Sequence, residues 1–176
     1  MMNVLKNDPF KVEEKNQILF AKINDSAIIP TKKDEDAGWD VYACFEDDEV
    51  WIRPNKSVAI PTGIASAFSS QYVAIIKERS STGSKGIGVR AGIVDSGYRG
   101  EWKVILTNHT DHPICISKRF TEVVNRGEVV FYPYTKAIAQ CLLLWVPQFE
   151  AKVVSFEELK SYESERGEGG FGSSGK

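Results

Sequence analysis

The chain is short of several things that would each direct its reading. It has three cysteines, two histidines, no basic excess and no long apolar run. Cys44, Cys115 and Cys141 are odd in number and widely spaced, without a C-x-x-C pair. That argues against a disulfide framework or a zinc knuckle and fits a reducing, cytoplasmic setting. Lys and Arg number 22 against 24 Asp and Glu, a net charge of −2. A bulk nucleic-acid or membrane binder would carry a basic surplus, so neither partner is expected. The first residues, MMNVLKNDPFKVEEKNQ, lack the apolar core of a signal peptide. No segment approaches the roughly 18 apolar residues of a membrane span. Any phosphate chemistry must rest on a few placed cations.

What is present is a series of short apolar runs rich in Val, Ile, Tyr, Phe and Trp. They are ILFAKI (18–23), WDVYAC (39–44), EVWI (49–52), SVAIPTGIASAF (57–68), YVAIIKE (72–78), EWKVILTN (101–108), ICIS (114–117), EVVFYPY (128–134) and IAQCLLLWV (138–146). Turn residues separate them, and no long stretch has a clean 3.6-residue period. Short strands punctuated by turns predict an all-β sandwich or barrel in one domain. SFEELKSYE (155–163) is the best helix candidate, with capping-box spacing from Ser155 to Glu158. Residues 1–16 read as loose, 17–162 as the β domain, and 163–176 as a Gly/Ser-rich arm.

The densest polar cluster runs from Lys77 to Trp102. Arg79 followed by Ser80, Ser81, Thr82 and Gly83 puts a cation beside hydroxyls and a pliable backbone. It reads either as a grip for phosphate oxygens or as an ordinary hydroxyl-rich turn with a surface arginine. In IVDSGYRG (93–100), Ile93 and Val94 end a strand, Ser96-Gly97 reads as a two-residue hairpin turn, and Tyr98 resumes the strand. Asp95 at that rim is either a general base toward water or a turn-forming aspartate. Tyr98 is either a stacking ring or a half-buried strand residue. Gln140, alone among apolar neighbours, needs a polar partner, either backbone or ligand. HTDHPIC (109–115) holds both histidines, but its spacing lacks a second ligand pair for zinc.

Taken in order, AGWDVYA (37–43), RSSTGSKG (79–86), AGIVDSGYRGE (91–101), IAQ (138–140) and RGEGGFGSSG (166–175) resemble the five motifs of the trimeric dUTPases. The resemblance runs from about Ile18 to the C-terminus. It implies a jelly-roll-like β-sandwich, a homotrimer whose sites draw on all three subunits, and Mg²⁺-dependent cleavage of dUTP to dUMP and pyrophosphate. By that resemblance Asp95 activates the attacking water and Tyr98 packs on the deoxyribose. The backbone of Gly92, Ile93 and Val94 reads uracil, and Arg79, Ser80, Ser81 and Lys103 hold the phosphates. Asp40 and Gln140 meet waters around the metal. The arm closes over the nucleotide: Phe171 stacks on the base, Arg166 takes the γ-phosphate, and Gly172, Ser173 and Ser174 add hydrogen bonds.

Three departures stand out. Ser81 replaces the usual glycine, a feature shared with the dCTP deaminases of the same fold. Those enzymes need a glutamate about ten residues past the aspartate, where this chain has Ile105. Thr135-Lys136-Ala137 replaces the Gly-Asp/Glu-Arg that usually precedes Ile-Ala-Gln. The interval from Asp95 to Gln140 is long, which points to an insertion near 109–135 like those of phage-borne or prophage members. A repressor-type protein partner of that insertion is a further expectation of the resemblance.

Overall fold

A computed structural model describes residues 17–169. It divides into two compact units, 1–146 and 147–176. In the first unit the apolar runs become strands wherever alternate side chains can be buried. β1 (Leu19–Lys22) pairs antiparallel with β5 (Ile64–Ala67). A second sheet has the order β2 (Trp39–Val41), β13 (Ala139–Trp145), β6 (Tyr72–Lys77), β8 (Ile93–Val94). A third runs β11 (Val124–Arg126), β12 (Val129–Pro133), β10 (Ile114–Ser117), β3 (Glu49–Ile52). The fourth is β4 (Ser57–Pro61), β9 (Lys103–Asn108), β7 (Ile87–Arg90). This is the all-β architecture expected from the strand pattern, and the jelly-roll-like form implied by the motif resemblance.

The sheets enclose one core built on Ile52, Ile60, Trp102, Leu106, Ile116 and Ile138. Its polar members are satisfied, as burial demands. Trp102 Nε1 donates to Ser66 Oγ at 3.1 Å. The fully buried Asn108 donates from Nδ2 to the carbonyls of Ile52 and His112 at 3.0 and 2.7 Å. With Thr110 N donating to Asn108 Oδ1, that amide ties down the histidine-containing loop. The loop's conformation thus has a cause that needs no metal.

Several boundaries differ from the sequence expectation. The run 57–68 breaks into two strands at Thr62, whose hydroxyl donates to Trp102 O at 2.6 Å. The 109–135 span is built into the third sheet: β10 is buried along its whole length and pairs with β12 in parallel. Of this span only β11 stands at the sheet's edge. The β unit closes at Val146, ahead of the expected Tyr162, because β13 ends at Trp145 and Pro147 has no N–H to extend a ladder. In the second unit, α2 (Phe156–Lys160) is capped by Ser155, whose Oγ accepts from Glu158 N at 3.0 Å. No helix among the described residues is long and apolar enough to cross a membrane.

Candidate active site

The second sheet brings residues distant in sequence to one place. Gln140 on β13 stands opposite Asp40 on β2 on one side and Lys77 on β6 on the other. Just past Lys77 the chain leaves the sheet and makes a single helical turn, α1 (Ser80–Gly83). The buried Thr82 locks this turn: its hydroxyl accepts from Arg79 N at 3.0 Å and donates to Arg79 O at 2.9 Å. The local hydroxyl-rich turn is therefore real, but its arginine is not a loose surface group. Arg79 Nε lies 2.9 Å from Asp40 Oδ1, each side chain about one-third exposed (30% and 34%).

Asp36, Ala37, Gly38, Asp40, Arg79, Ser80, Ser81 and Gln140 line one open cavity of about 330 Å³. Gln140 donates from Nε2 to Glu78 O at 2.9 Å, which answers its need for a partner and fixes the amide. Its Oε1 is left for the cavity. Gly38 keeps the approach clear, since a Cβ there would come 2.9 Å from Cys141 O and 3.4 Å from Gln140 Oε1. The carboxyl of Glu78 is held below its ordinary value by a hydrogen bond with its own backbone, helped by Lys77 and opposed by burial. Asp36, absent from the sequence-level candidates, accepts from Lys33 N at 2.9 Å and belongs to the cavity wall. Its signal was only that of a turn residue before Ala-Gly.

A second group forms at the opposite edge of the same sheet. The chain passes through Ala91 and Gly92 with positive φ (59° and 83°), and Ile76 N donates to Gly92 O at 2.7 Å. A Cβ on Gly92 would sit 2.5 Å from Ile76 O, so the close approach to β6 requires glycine. β8 follows, with Val94 opposite Ala74 and Ile93 opposite Ile75. It is the last strand on its side of the sheet, and Ile93 is 68% exposed. The turn after it is closed by Tyr98 N donating to Asp95 O at 3.0 Å. The expected two-residue hairpin does not form, however. β8 pairs with β6, while β9 lies in another sheet between β4 and β7. Tyr98 resumes no strand; its hydroxyl donates to Glu101 O at 3.0 Å and its ring is 46% exposed. Arg99 Nη1 fastens the loop through Ser96 O and Ser66 O at 2.6 and 3.2 Å. Lys103 opens β9 opposite Pro61, with its side chain exposed.

Within one chain the two groups are apart. Asp95 follows a strand residue paired with Ala74, whereas Arg79 lies five residues further along. The three strand steps from Ala74 to Lys77, where β6 ends, already span about 10 Å at about 3.3 Å per residue. The groups also occupy opposite edges of the sheet, since Arg79 leans toward β2 and Asp95 continues from β8. Arg166, in the second unit, donates from Nε to Gly169 O at 2.7 Å. Phe171, Gly172, Ser173 and Ser174 lie outside the described residues.

The cavity's ligating atoms suit a hard cation: carboxylates of Asp36 and Asp40, the Gln140 amide oxygen, and two serine hydroxyls. No group of three His, Cys, Asp or Glu among the described residues could hold a metal unaided. Oxygen donors of this kind are the ones a hard divalent cation takes.

Comparison with known proteins follows the same line. A family model described as dUTPase matches residues 24–175. The chain is 38% identical over 144 residues to the deoxyuridine 5'-triphosphate nucleotidohydrolase of Gloeobacter violaceus, covering 80% of this chain and 83% of that one. Among solved structures it resembles the Staphylococcus bacteriophage 80alpha dUTPase, a G164S mutant with dUpNHpp. The TM-score is 0.71 at 24% identity, over 92% of this chain and 100% of that one. It also resembles a mutant dUTPase from phage phi11 of S. aureus, described as revealing coordination of a structural Mg(II) ion. There the TM-score is 0.63 at 20% identity, over 81% of this chain and 99% of that one.

Proposed function

Because the chain belongs to the dUTPase family, and is thereby a dUTP diphosphatase, we propose that it hydrolyses dUTP at a site shared between copies of itself. The Asp40–Arg79–Ser80–Ser81–Gln140 cavity of one copy would hold the phosphates. The β8 edge, Asp95 and Tyr98 of another would hold the nucleoside and the attacking water. The observation that carries this reading is that, within a single chain, the two groups stand at opposite edges of the second sheet. The homotrimer that the motif resemblance implies is a closed assembly that serves it.

At the nucleoside end, the outer backbone edge of β8 (Ile93 and Val94), with Gly92 before it, would meet the donors and acceptors of uracil. Tyr98, half-exposed and held by Glu101 O, would set its ring against the deoxyribose. Asp95, exposed at the turn, would take the proton of the water that attacks the α-phosphorus. The P–O bond to the β-phosphate breaks, dUMP keeps the new oxygen, and pyrophosphate leaves with its electron pair. At the phosphate end, Arg79 is a cation already oriented by Asp40, and Ser80 and Ser81 supply hydroxyl donors. Lys103 and, from the C-terminal arm, Arg166, Phe171, Gly172, Ser173 and Ser174 would complete the closure. Asp40 and Gln140 would hold magnesium through its waters. Such an ion, when bound, neutralises triphosphate charge and stabilises the leaving pyrophosphate.

The deaminase of similar fold has no support here. Ile105, in the middle of β9 between Ala59 and Arg90, has no titratable side chain to offer. A repressor-type partner bound through residues 109–135 would be an addition to catalysis. Pyrophosphate release from dUTP, dCTP, dTTP and UTP with Mg²⁺, compared side by side, tests the proposal. Release from dUTP alone is expected, and equal rates on UTP or ammonia from dCTP would overturn it.

A further inference from the structure

Tyr132, on β12, sits in the apolar run EVVFYPY, which carries no motif. Its ring is 2% exposed and belongs to the core, where it helps line a void of about 10 Å³ with Ile52, Thr82, Leu106 and Ile116. A phenylalanine would fill that space equally well. The hydroxyl therefore needs its own explanation, because a buried O–H without a partner is costly.

Its partner is the carbonyl of Ala137, to which it donates at 3.1 Å. Arg79 reaches the same oxygen: Nη1 donates to Ala137 O in a longer contact of 3.5 Å. The guanidinium is thus held at Nε by Asp40 and at Nη1 by a carbonyl that Tyr132 itself fixes. Burial pushes the phenol above its ordinary value, while the nearby Arg79 guanidinium and the Ser81 hydroxyl pull it back, so both lie within its electrostatic reach. The phenol also closes the turn that leads into β13 and Gln140. Lys136 N donates to Pro133 O at 3.1 Å, and Ala137 is itself buried. One hydroxyl therefore joins the core to two cavity elements, the Arg79 fork and the lead-in to Gln140.

We propose that Tyr132 is a positioning residue for the phosphate grip, its hydroxyl holding Ala137 O and the Arg79–Ser81 turn in the orientation that takes the β- and γ-phosphates of a nucleoside triphosphate. This rests on the reading of the cavity given under the proposed function. A grip on the outer phosphates discriminates between ligands in a way that general stability does not: it matters for dUTP and not for dUMP.

The test uses the full chain with Tyr132→Phe, which removes only the oxygen, measuring kcat/KM for dUTP and affinity for dUMP. kcat/KM is expected to fall about tenfold, the scale of one lost hydrogen bond to a charged-site scaffold, with dUMP affinity unchanged. Ile116→Val, which trims the wall of the same void without touching the hydroxyl, should leave the dUTP-to-dUMP ratio where it was. Wild-type kcat/KM in Tyr132→Phe, equal losses on dUTP and dUMP, or the same shift in Ile116→Val would each overturn the inference. Arg79→Ala separates the two levels. If it leaves dUTP turnover intact, the phosphate reading of the cavity falls. If it abolishes turnover while Tyr132→Phe does nothing, only the role of Tyr132 falls.

Discussion

Asp40 Oδ1 and Arg79 Nε are 2.9 Å apart, although 38 positions separate them and one lies on β2 while the other caps the α1 turn beyond β6. Both side chains are about one-third exposed, so the pair adds little to stability, about 0–1 kcal/mol by the behaviour of solvent-screened pairs. Its value is in aiming the guanidinium. Asp40→Asn should therefore leave the thermal midpoint within a few degrees of wild type and lower dUTP turnover by on the order of tenfold or more. A melting curve and a steady-state assay on the same preparation check this. A large drop in the midpoint with unchanged turnover would make the pair structural.

Asp95 is exposed at its turn, and its backbone carbonyl already closes that turn with Tyr98 N at 3.0 Å. Replacing its carboxylate by an amide removes basicity while leaving this bond in place. Asp95→Asn should cost on the order of 10²–10⁴ in kcat, the usual scale of general-base loss, with dUTP binding retained. Near-normal turnover would return Asp95 to the role of a turn residue.

Burial pushes both Cys115 and Cys141 up to about 12. At pH 8 neither should react with iodoacetamide in the folded protein, while denaturant should expose all three thiols. The folded state favours the protonated thiol. That contribution is complete below the unfolded value near 9 and is lost as pH rises toward 12. Urea midpoints should fall across that window, and midpoints flat from pH 8 to 11 would contradict the burial argument.

Much of this was legible in the sequence, for physical reasons that also mark where legibility ended. EVWI, ICIS and IAQCLLLWV announced themselves because each is an uninterrupted run bounded by turn residues. β7 hid in SKGIGVRAG, where glycines mask a four-residue strand, and β11 hid in a polar stretch, VNR. Asp40, Arg79, Ser80, Ser81 and Gln140, picked out by the order of their motifs along the chain, line one cavity. That Arg79 would lean on Asp40 was not legible, since it depends on β13 lying between β2 and β6. The expected hairpin at Ser96-Gly97 failed for the same reason: local turn chemistry cannot reveal that β8 and β9 belong to different sheets. Tyr132 gave no signal at all, because a phenol inside an apolar run looks like core until the carbonyl it serves is known.

The C-terminal arm carries Phe171 and the serines that the family resemblance assigns to closure. Truncation after Glu165 should lower dUTP turnover by orders of magnitude while dUMP still binds, as expected of a lid that orients phosphates and excludes water. Phe171→Ala alone should lose less, roughly 1–3 kcal/mol for a base–aromatic stack. A truncated chain with full kcat would make the arm an inert linker.

The shared site is tested most directly by co-assembling two inactive variants, Asp95→Asn and Arg79→Ala, after mixing them unfolded in equal amounts. If Asp95 and Arg79 act from different subunits, random mixing leaves about a quarter of the sites with both groups intact, and dUTP hydrolysis should return to that fraction of wild type. If the two act from the same chain, no mixed assembly contains an intact pair, and activity that stays at the level of the separate variants would contradict the account.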